Sequence, residues 1–121
     1  MSTKKTLVLG ASENPARYSY LAVKKLRDHD HPVVALGKKK GMIGDTAILT
    51  EQKHFDDIDT VTLYLNPANQ KMYYDYILSL HPRRIIFNPG AENGELYQLA
   101  LQKGINPQEA CTLVLLSTGQ F

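Results

Sequence analysis

Short apolar runs alternate along the chain with segments whose apolar side chains recur every three or four residues. The apolar runs predict buried β-strands, and the longer spacing predicts amphipathic helices. Five strands are predicted, over residues 7–9, 33–36, 60–65, 84–87 and 108–110. Helices are predicted from residue 18 onward, over 72–80, around 96–100 and within the tail 111–121.

Residues 41–59, between the second and third predicted strands, lack a helical pattern. A small edge strand at 47–49 and a single helical turn at 55–58 are the elements predicted there. A regular strand–helix–strand unit would carry a full helix in this segment. We therefore expect an irregular crossover.

The alternation of strands and helices predicts one α/β domain over residues 1–121, with a mostly parallel five-stranded sheet between two helical layers. The simplest strand order with right-handed crossovers is 3-2-1-4-5. That order puts the topological switch point between strands 1 and 4, at the carboxyl edge where open α/β sheets bind ligands.

The composition is that of an ordinary soluble globular protein, with 43% hydrophobic and 21% charged residues. A net charge of +2 is too small to predict nucleic acid as a partner. No apolar run approaches the roughly 20 residues that span a bilayer, and no export signal is visible, so no membrane association is expected. The single cysteine, Cys111, fits a reducing cytoplasm.

The stretch from Thr6 to Tyr18 has the order of a nucleotide-binding unit: a strand, a glycine turn at Gly10 and then a helix. The G-x-G-x-x-G fingerprint is absent, since the next glycine is Gly37, and there is no phosphate-loop motif. Arg17 is either a pyrophosphate ligand or a surface residue that starts the helix. Ser12 and Asn14 likewise either bind phosphate or cap the helix.

Three lysines, Lys38 to Lys40, follow the second strand, where NAD-binding domains carry an acidic residue. Basic residues there suit a ribose phosphate, as in NADP or coenzyme A. A solvated charge run is the alternative interpretation. The position after a strand favours a binding role for Lys38 and Lys39.

Asn-Pro pairs begin at Asn14, Asn66, Asn88 and Asn106, and the first three follow predicted strands. Each pair is a good turn and helix start, because asparagine caps and proline presets the first helical angle. Their common position at one edge of the sheet also favours a ligand site.

No catalytic or metal-binding set is predicted. The four histidines lack ligand spacing, and Cys111 is expected to be buried and inert. Glu92 is expected in the first turn of a helix, where the helix dipole favours a carboxylate.

Taken together, these motifs resemble the small, single-domain CoA-binding proteins, which share the Rossmann-like fold of the CoA-binding domain in the succinyl-CoA synthetase α subunit. The matching segments are 10–12, 14–15, 17–19, 43–44, 63–67 and 88–93, with the lysine after strand 2 and Cys111. One departure is Leu36-Gly37, where many relatives have Asn-Pro. Ligase activity is not implied, because the phosphohistidine domain and partner subunit of the ligases do not fit in 121 residues.

The resemblance implies coenzyme A or an acyl-CoA as the bound cofactor. It places the pyrophosphate on the first turn and Arg17, the phosphorylated ribose at Lys38, and the adenine and pantetheine along the turn after strand 3. The turn after strand 4 would line the far side of the site. The candidate cofactor-binding residues are Gly10, Ala11, Ser12, Asn14, Arg17, Tyr18, Lys38, Lys39, Leu65, Asn66, Pro67, Asn88, Pro89, Gly90 and Glu92.

The leading hypothesis is therefore a cytoplasmic CoA-binding module without chemistry of its own. The first alternative is an NADP-dependent oxidoreductase or redox protein that uses Cys111 or Tyr18. The second is an interaction protein with a decayed nucleotide site, which forms a homodimer through the tyrosine-rich segment 72–80.

Overall fold

All five predicted strands are present, the small strand predicted at 47–49 is confirmed as Thr46–Leu49, and one further strand, Gly41–Ile43, joins the same sheet. The computed structural model describes residues 3–121. Its strands are β1 (Thr6–Leu9), β2 (Val33–Leu36), β3 (Gly41–Ile43), β4 (Thr46–Leu49), β5 (Thr60–Leu63), β6 (Arg84–Phe87) and β7 (Asn106–Glu109). Its helices are α1 (Tyr18–Asp28), α2 (Pro67–Gln70), α3 (Tyr74–Ser79), α4 (Gly94–Gln102) and α5 (Thr112–Ser117).

The predicted strand number and order are wrong, although the mostly parallel α/β architecture is confirmed. The sheet has seven strands in the order β3-β4-β2-β1-β5-β6-β7, and β3 pairs antiparallel with β4. The third predicted strand, β5, was expected beside β2 but pairs with β1. β4 already occupies the free edge of β2, through Ala35 opposite Ile48 and Leu36 opposite Leu49, so β5 crosses to the other side of β1.

In this order the topological switch point lies between β1 and β5. It was predicted between β1 and the fourth predicted strand, which is β6. From β1 the chain runs through α1 to β2 on one side, and it later returns to β5 on the other. The carboxyl ends of β2, β1, β5 and β6 are therefore consecutive along one edge. That edge carries the turns singled out in the sequence.

A hairpin of β3 and β4 fills the weakly patterned segment. Ile43 pairs with Thr46 across a two-residue turn, in which Gly44 has a φ of 59°. A glycine with positive φ at this position is characteristic of tight hairpin turns. The predicted helical turn at 55–58 is wrong, because Asp57 has a φ of 61° and breaks any right-handed turn.

The predicted helix 72–80 is replaced by α2, a 3-10 turn over Lys71–Tyr73, and α3. The Asn66 side chain caps α2 by accepting from the Asn69 amide at 3.0 Å, so helical structure starts earlier than predicted. The tighter 3-10 turn shifts the helical face, and Met72 is 69% exposed instead of buried.

Alternate residues of the strands pack against different helical layers. Leu7, Val61 and Ile85 face one layer, which α3 and α4 cover with side chains such as Ile77 and Leu96. On the other face, Val8, Ala35 and Ile48 pack with Val23 and Leu26 of α1 and Leu116 of α5. The helices are short and cover both faces of the central strands, so hydrophobic burial holds the ends of those strands in place.

Within residues 3–121, none of the helices has both the length and the apolar character needed to cross a bilayer.

His31 links the amino-terminal segment to the end of the chain. Its Nδ1 accepts the Lys4 amide at 2.9 Å, and its ring lies 5.0 Å from the ring of Phe121. Burial, with the nearby positive charges of His29, Lys4 and Arg84, lowers the pKa of His31 below 6.5, and Asp30 opposes this effect. The folded state therefore favours the neutral ring.

We predict that stability falls as the pH drops below about 6.5, because the unfolded chain then binds a proton that the folded His31 resists. His31→Gln keeps a side-chain acceptor for the Lys4 amide but cannot be protonated. Thermal unfolding at pH 8 and pH 5 should show a smaller loss in this variant than in the wild type, whereas His54→Gln should behave as the wild type. Equal losses in all three proteins would contradict the assignment.

Candidate functional site

A cleft of about 590 Å³ lies at the carboxyl edge of the sheet, across the switch point. Its walls come from the turns after β1, β2, β5 and β6 and from the start of α1. The lining residues are Gly10, Ala11, Ser12, Glu13, Arg17, Tyr18, Ser19, Lys38, Lys39, Lys40, Tyr64, Leu65, Asn66, Pro89, Gly90 and Ala91.

The turn after β1 depends on the close approach of three backbone segments. Gly10 and Ala11 both donate their amides to the Leu36 carbonyl, at 2.9 and 2.8 Å. Gly10 has a φ of 96°, and a Cβ on it would lie 3.0 Å from the carbonyl carbon of Tyr64. Only glycine tolerates both the positive φ and the close backbone contact. The chain can therefore turn at the end of β1 and leave the cleft open.

The side chains of the residues after this turn accept hydrogen bonds from nearby backbone amides. Ser12 Oγ accepts the Asn14 amide at 3.1 Å, and Asn14 Oδ1 accepts the Ala16 amide at 3.0 Å. The Arg17 amide donates to the Asn14 carbonyl at 3.0 Å. The Ser12 hydroxyl proton remains available to a ligand, whereas the amides of Gly10 and Ala11 are already used.

The start of α1 supplies the backbone donors of the cleft. Tyr18 and Ser19 are the first two residues of this eleven-residue helix and line the cleft. The first amides of a helix have no acceptor within it, and the helix dipole favours an anion at this end. Arg17 directly precedes them and is exposed.

The three lysines after β2 form an exposed loop beside this helix end. Among residues 3–121, neither these lysines nor Arg17 forms an ion pair with a carboxylate. The loop starts at Gly37, where a Cβ would lie only 2.2 Å from the Ala11 carbonyl oxygen. The lysine loop is thus pressed against the first turn, and its cations line the same cleft.

A second pocket of about 330 Å³ adjoins the cleft and shares Gly10, Lys38 and Leu65 with it. The ends of β2 and β4 and the segment from α2 to the 3-10 turn enclose it. Its other lining residues are Gly37, Thr50, Asn69, Met72 and Tyr73. Leu65, Met72 and Tyr73 offer it apolar and aromatic surface.

Four of the predicted site residues do not line the cleft, namely Asn14, Pro67, Asn88 and Glu92. Asn14 is exposed on the turn, and Pro67 is the first residue of α2. Glu92 was predicted in the first turn of a helix. That prediction is wrong, because α4 starts at Gly94 with Asn93 as its cap. Its carboxylate instead accepts the Gly90 amide at 2.8 Å and fixes the turn after β6.

Asn88 lies beneath the cleft and is only 2% exposed. Its Nδ2 donates to Thr62 Oγ1 at 2.6 Å and to the Leu63 carbonyl at 2.8 Å. Its Oδ1 accepts the Thr112 amide at 2.9 Å. The side chain therefore joins β5, β6 and the start of α5, and both hydrogens of its amide are used within the protein.

No role in the site was predicted for Gln70 or Asn93 from the sequence, but both residues support two walls of the cleft. Buried Gln70 donates through Nε2 to the carbonyls of Leu65 and Ala91, at 2.7 and 2.8 Å. Asn93 Nδ2 donates to Gln70 Oε1 at 2.9 Å and to the Tyr74 hydroxyl at 2.8 Å. The turns after β5 and β6 are therefore tied together. The capping position of Asn93 before Gly94-Glu95 was the available sequence signal.

The cleft floor contains the side chain of Tyr64. Its hydroxyl is buried close to Thr62 and Thr112 but forms no well-aligned hydrogen bond with the described residues. Burial raises the pKa of Tyr64 above its usual value of 10, so the hydroxyl keeps its proton at neutral pH. Cys111 is half-buried at the start of α5 and does not line the cleft.

Within the described chain, no three histidine, cysteine, aspartate or glutamate side chains group together as metal ligands do.

Residues 4–117 match the sequence pattern of the CoA binding domain family. The chain belongs to this CoA-binding family. The match spans nearly all of the chain and agrees with the resemblance inferred from the turns. No protein with a curated description matches the chain.

Solved structures share the same fold. A crystal structure of an uncharacterized protein is 49% identical to this CoA-binding domain, covers 100% of both chains and has a TM-score of 0.97. A hypothetical protein from Pyrococcus horikoshii is 21% identical, with a TM-score of 0.85 over 96% of this chain and 83% of its own. A Thermus thermophilus protein is 20% identical, with a TM-score of 0.83 over 98% and 91%. The last two establish the fold alone.

Because of the geometry at Gly10, we predict that its replacement by alanine destabilises the fold unusually strongly. Gly90 has a nearly equal φ of 93°, but a Cβ there meets nothing within 4 Å. Gly10→Ala and Gly90→Ala therefore share a strain of about 1–3 kcal/mol, and only the first adds a backbone clash. Urea unfolding should show a loss larger by about 1–3 kcal/mol for Gly10→Ala. Equal losses would contradict the close approach of Tyr64.

Proposed function

We propose that this domain binds coenzyme A or an acyl-CoA in the cleft at the carboxyl edge of the sheet. The observation that carries the proposal is the convergence on one cleft of the start of α1 and four exposed cations that form no ion pair within residues 3–121. Guanidinium, ammonium and helix-terminal amide groups are the donors that phosphate anions prefer. The family match supports coenzyme A as the particular ligand.

The donor set fits a ligand with two separate phosphate positions. The Arg17 fork, the Ser12 hydroxyl and the first amides of α1 would hold the pyrophosphate. Lys38 and Lys39, on the neighbouring loop, would meet the phosphorylated ribose. NAD lacks a ribose phosphate, so these lysines favour coenzyme A or NADP over NAD.

The two pockets also divide the remaining parts of the ligand. The pocket bordered by Leu65, Met72 and Tyr73 offers apolar contacts for an adenine ring. The cleft beside Asn66, Pro89 and Gly90 is left for the pantetheine arm. Both pockets meet at Gly10 and Leu65, where the pyrophosphate would pass between them.

We further infer that the domain works as a binding module in the cytoplasm and carries no chemistry of its own. Among the described residues, neither a histidine nor a cysteine lines the cleft, and Tyr64, one of its two tyrosines, keeps its proton because burial raises its pKa. Ser12 and Glu13 also line the cleft, but they do not form a nucleophile–base pair, because Ser12 Oγ accepts the Asn14 amide and Glu13 Oε2 accepts the Met42 amide.

Calorimetric titration with coenzyme A, dephospho-coenzyme A and NADP at one salt concentration tests this proposal. We expect coenzyme A to bind more tightly than dephospho-coenzyme A, since a charge-assisted hydrogen bond contributes about 1.5–3 kcal/mol. Replacement of Lys38 and Lys39 by glutamate should weaken coenzyme A and leave dephospho-coenzyme A nearly unchanged.

The matched control is Lys24→Glu with Lys103→Glu, which changes the net charge equally at exposed positions outside the cleft. This control should retain the preference for the phosphorylated ribose. Absence of coenzyme A binding by the wild type would overturn the assignment. Equal binding of coenzyme A and dephospho-coenzyme A would remove the role of the lysines, and tighter binding of NADP would favour a redox function.

A further inference from the structure

Glu13 is the one carboxylate among the residues that line the cleft, and it lies there with Arg17 and the three lysines. A negative charge at this position repels a phosphate ligand. Its presence in a cationic cleft therefore calls for a physical explanation.

The Glu13 carboxylate reaches across to the start of β3. Its Oε2 atom accepts the backbone amide of Met42 at 3.2 Å. A Cβ on Gly41 would lie 2.6 Å from the same oxygen and 2.7 Å from the carboxyl carbon. The glycine therefore leaves the space that the carboxylate occupies, and the amide next to it receives the hydrogen bond.

This contact completes a pair of anchors on the lysine loop. At one end, Gly37 packs against the Ala11 carbonyl, at the separation that only a glycine permits. At the other end, Gly41 packs against the Glu13 carboxylate. Ala11 and Glu13 both belong to the turn after β1. The three lysines between the anchors are exposed and donate no hydrogen bond to the described protein. Pairing of Gly41 with Ile48 and the hydrogen bond from the Gly37 amide to the Leu49 carbonyl hold the loop ends on β4, and the two anchors fix the loop relative to the first turn.

We propose that Glu13 is a positioning residue that holds the lysine loop against the first turn and so determines the preference for a ligand with a phosphorylated ribose. This inference rests on the proposed coenzyme A site, whose terminal phosphate the lysines would meet. Glu13 itself does not bind the ligand. Its negative charge weakens the attraction of the cleft for phosphate, but its hydrogen bond fixes the position of the lysine loop.

Two substitutions separate the charge of Glu13 from its hydrogen bond. Glu13→Gln removes the negative charge but keeps a side-chain oxygen for the Met42 amide. Glu13→Ala removes both. If the charge alone mattered, both variants would bind anions more tightly and alike. If the contact matters, only the alanine variant frees the lysine loop.

The measurement is the ratio of affinities for coenzyme A and dephospho-coenzyme A at constant salt. We expect the ratio to fall about three- to tenfold in Glu13→Ala, the range of one lost hydrogen bond, and to be kept or raised in Glu13→Gln. Glu51→Ala removes an exposed carboxylate outside the cleft and should keep the wild-type ratio. Equal ratios in Glu13→Ala and Glu13→Gln would overturn the proposal.

Gly41→Ala provides a second route to the same state. The added Cβ would displace the flexible carboxylate from the Met42 amide, so the ratio should fall as in Glu13→Ala. The double variant should lose no more than either single one, because the same contact is removed twice. Additive losses would show that Gly41 and Glu13 act separately, which contradicts the proposal.

Amide hydrogen exchange at Met42 tests the contact without any ligand. Exchange should be faster in Glu13→Ala and Gly41→Ala than in the wild type and Glu13→Gln. Unchanged exchange in Glu13→Ala would overturn the positioning role while coenzyme A binding by the wild type still stands. If exchange at Met42 is faster in Glu13→Ala and Gly41→Ala but the wild type does not bind coenzyme A, the proposed function is overturned. The role of Glu13 in selectivity is then overturned with it.

Discussion

The candidate site depends on the Leu36 carbonyl, which accepts the amides of both Gly10 and Ala11. This pair of hydrogen bonds joins the end of β2 to the turn after β1 at the centre of the sheet. It forces the first turn to pass closely under the lysine loop, so Gly37 has no room for a side chain. Parallel pairing of β1 with β2 places both turns at the same edge, and this junction brings the first turn into direct contact with the lysine loop.

The opposite wall is held by a buried polar network instead of backbone pairing. Gln70 bridges the carbonyls of Leu65 and Ala91, and Asn93 completes the network through Gln70 and Tyr74. Buried amides with satisfied partners fix one geometry, because each alternative leaves a polar group without a partner. The two walls are thus built by different means, and the cleft lies between them at the switch point.

The elements governed by local pattern were predictable from the sequence. Strands β1, β2 and β6 contain continuous apolar runs, and β5 alternates threonine with apolar residues although all four of its residues are buried. The boundaries of these four strands agree with the prediction within two residues. The strand order was not predictable in the same way. It depends on which strand fills the free edge of β2, and the short β3–β4 hairpin that decides this has one exposed face and a weak pattern.

The candidate site was predictable to a similar extent. Turn residues such as Gly10 and the lysines are visible as motifs, since their chemistry follows from position after a strand. Asn88 has the same motif, but its amide is consumed by Thr62, Leu63 and Thr112 in the interior, which only the tertiary structure shows. Gln70 carries no motif at all, because its role arises from two loops that are far apart in the sequence.

The central claim is that coenzyme A binds across the junction of the first turn and the lysine loop. Backbone amide chemical shifts recorded during titration with coenzyme A test it most directly. The account predicts that the largest changes fall on residues 10–19, 37–41 and 64–66, with smaller changes at 89–91. No change at saturating ligand, or changes confined to the opposite edge of the sheet around Arg84, would contradict it.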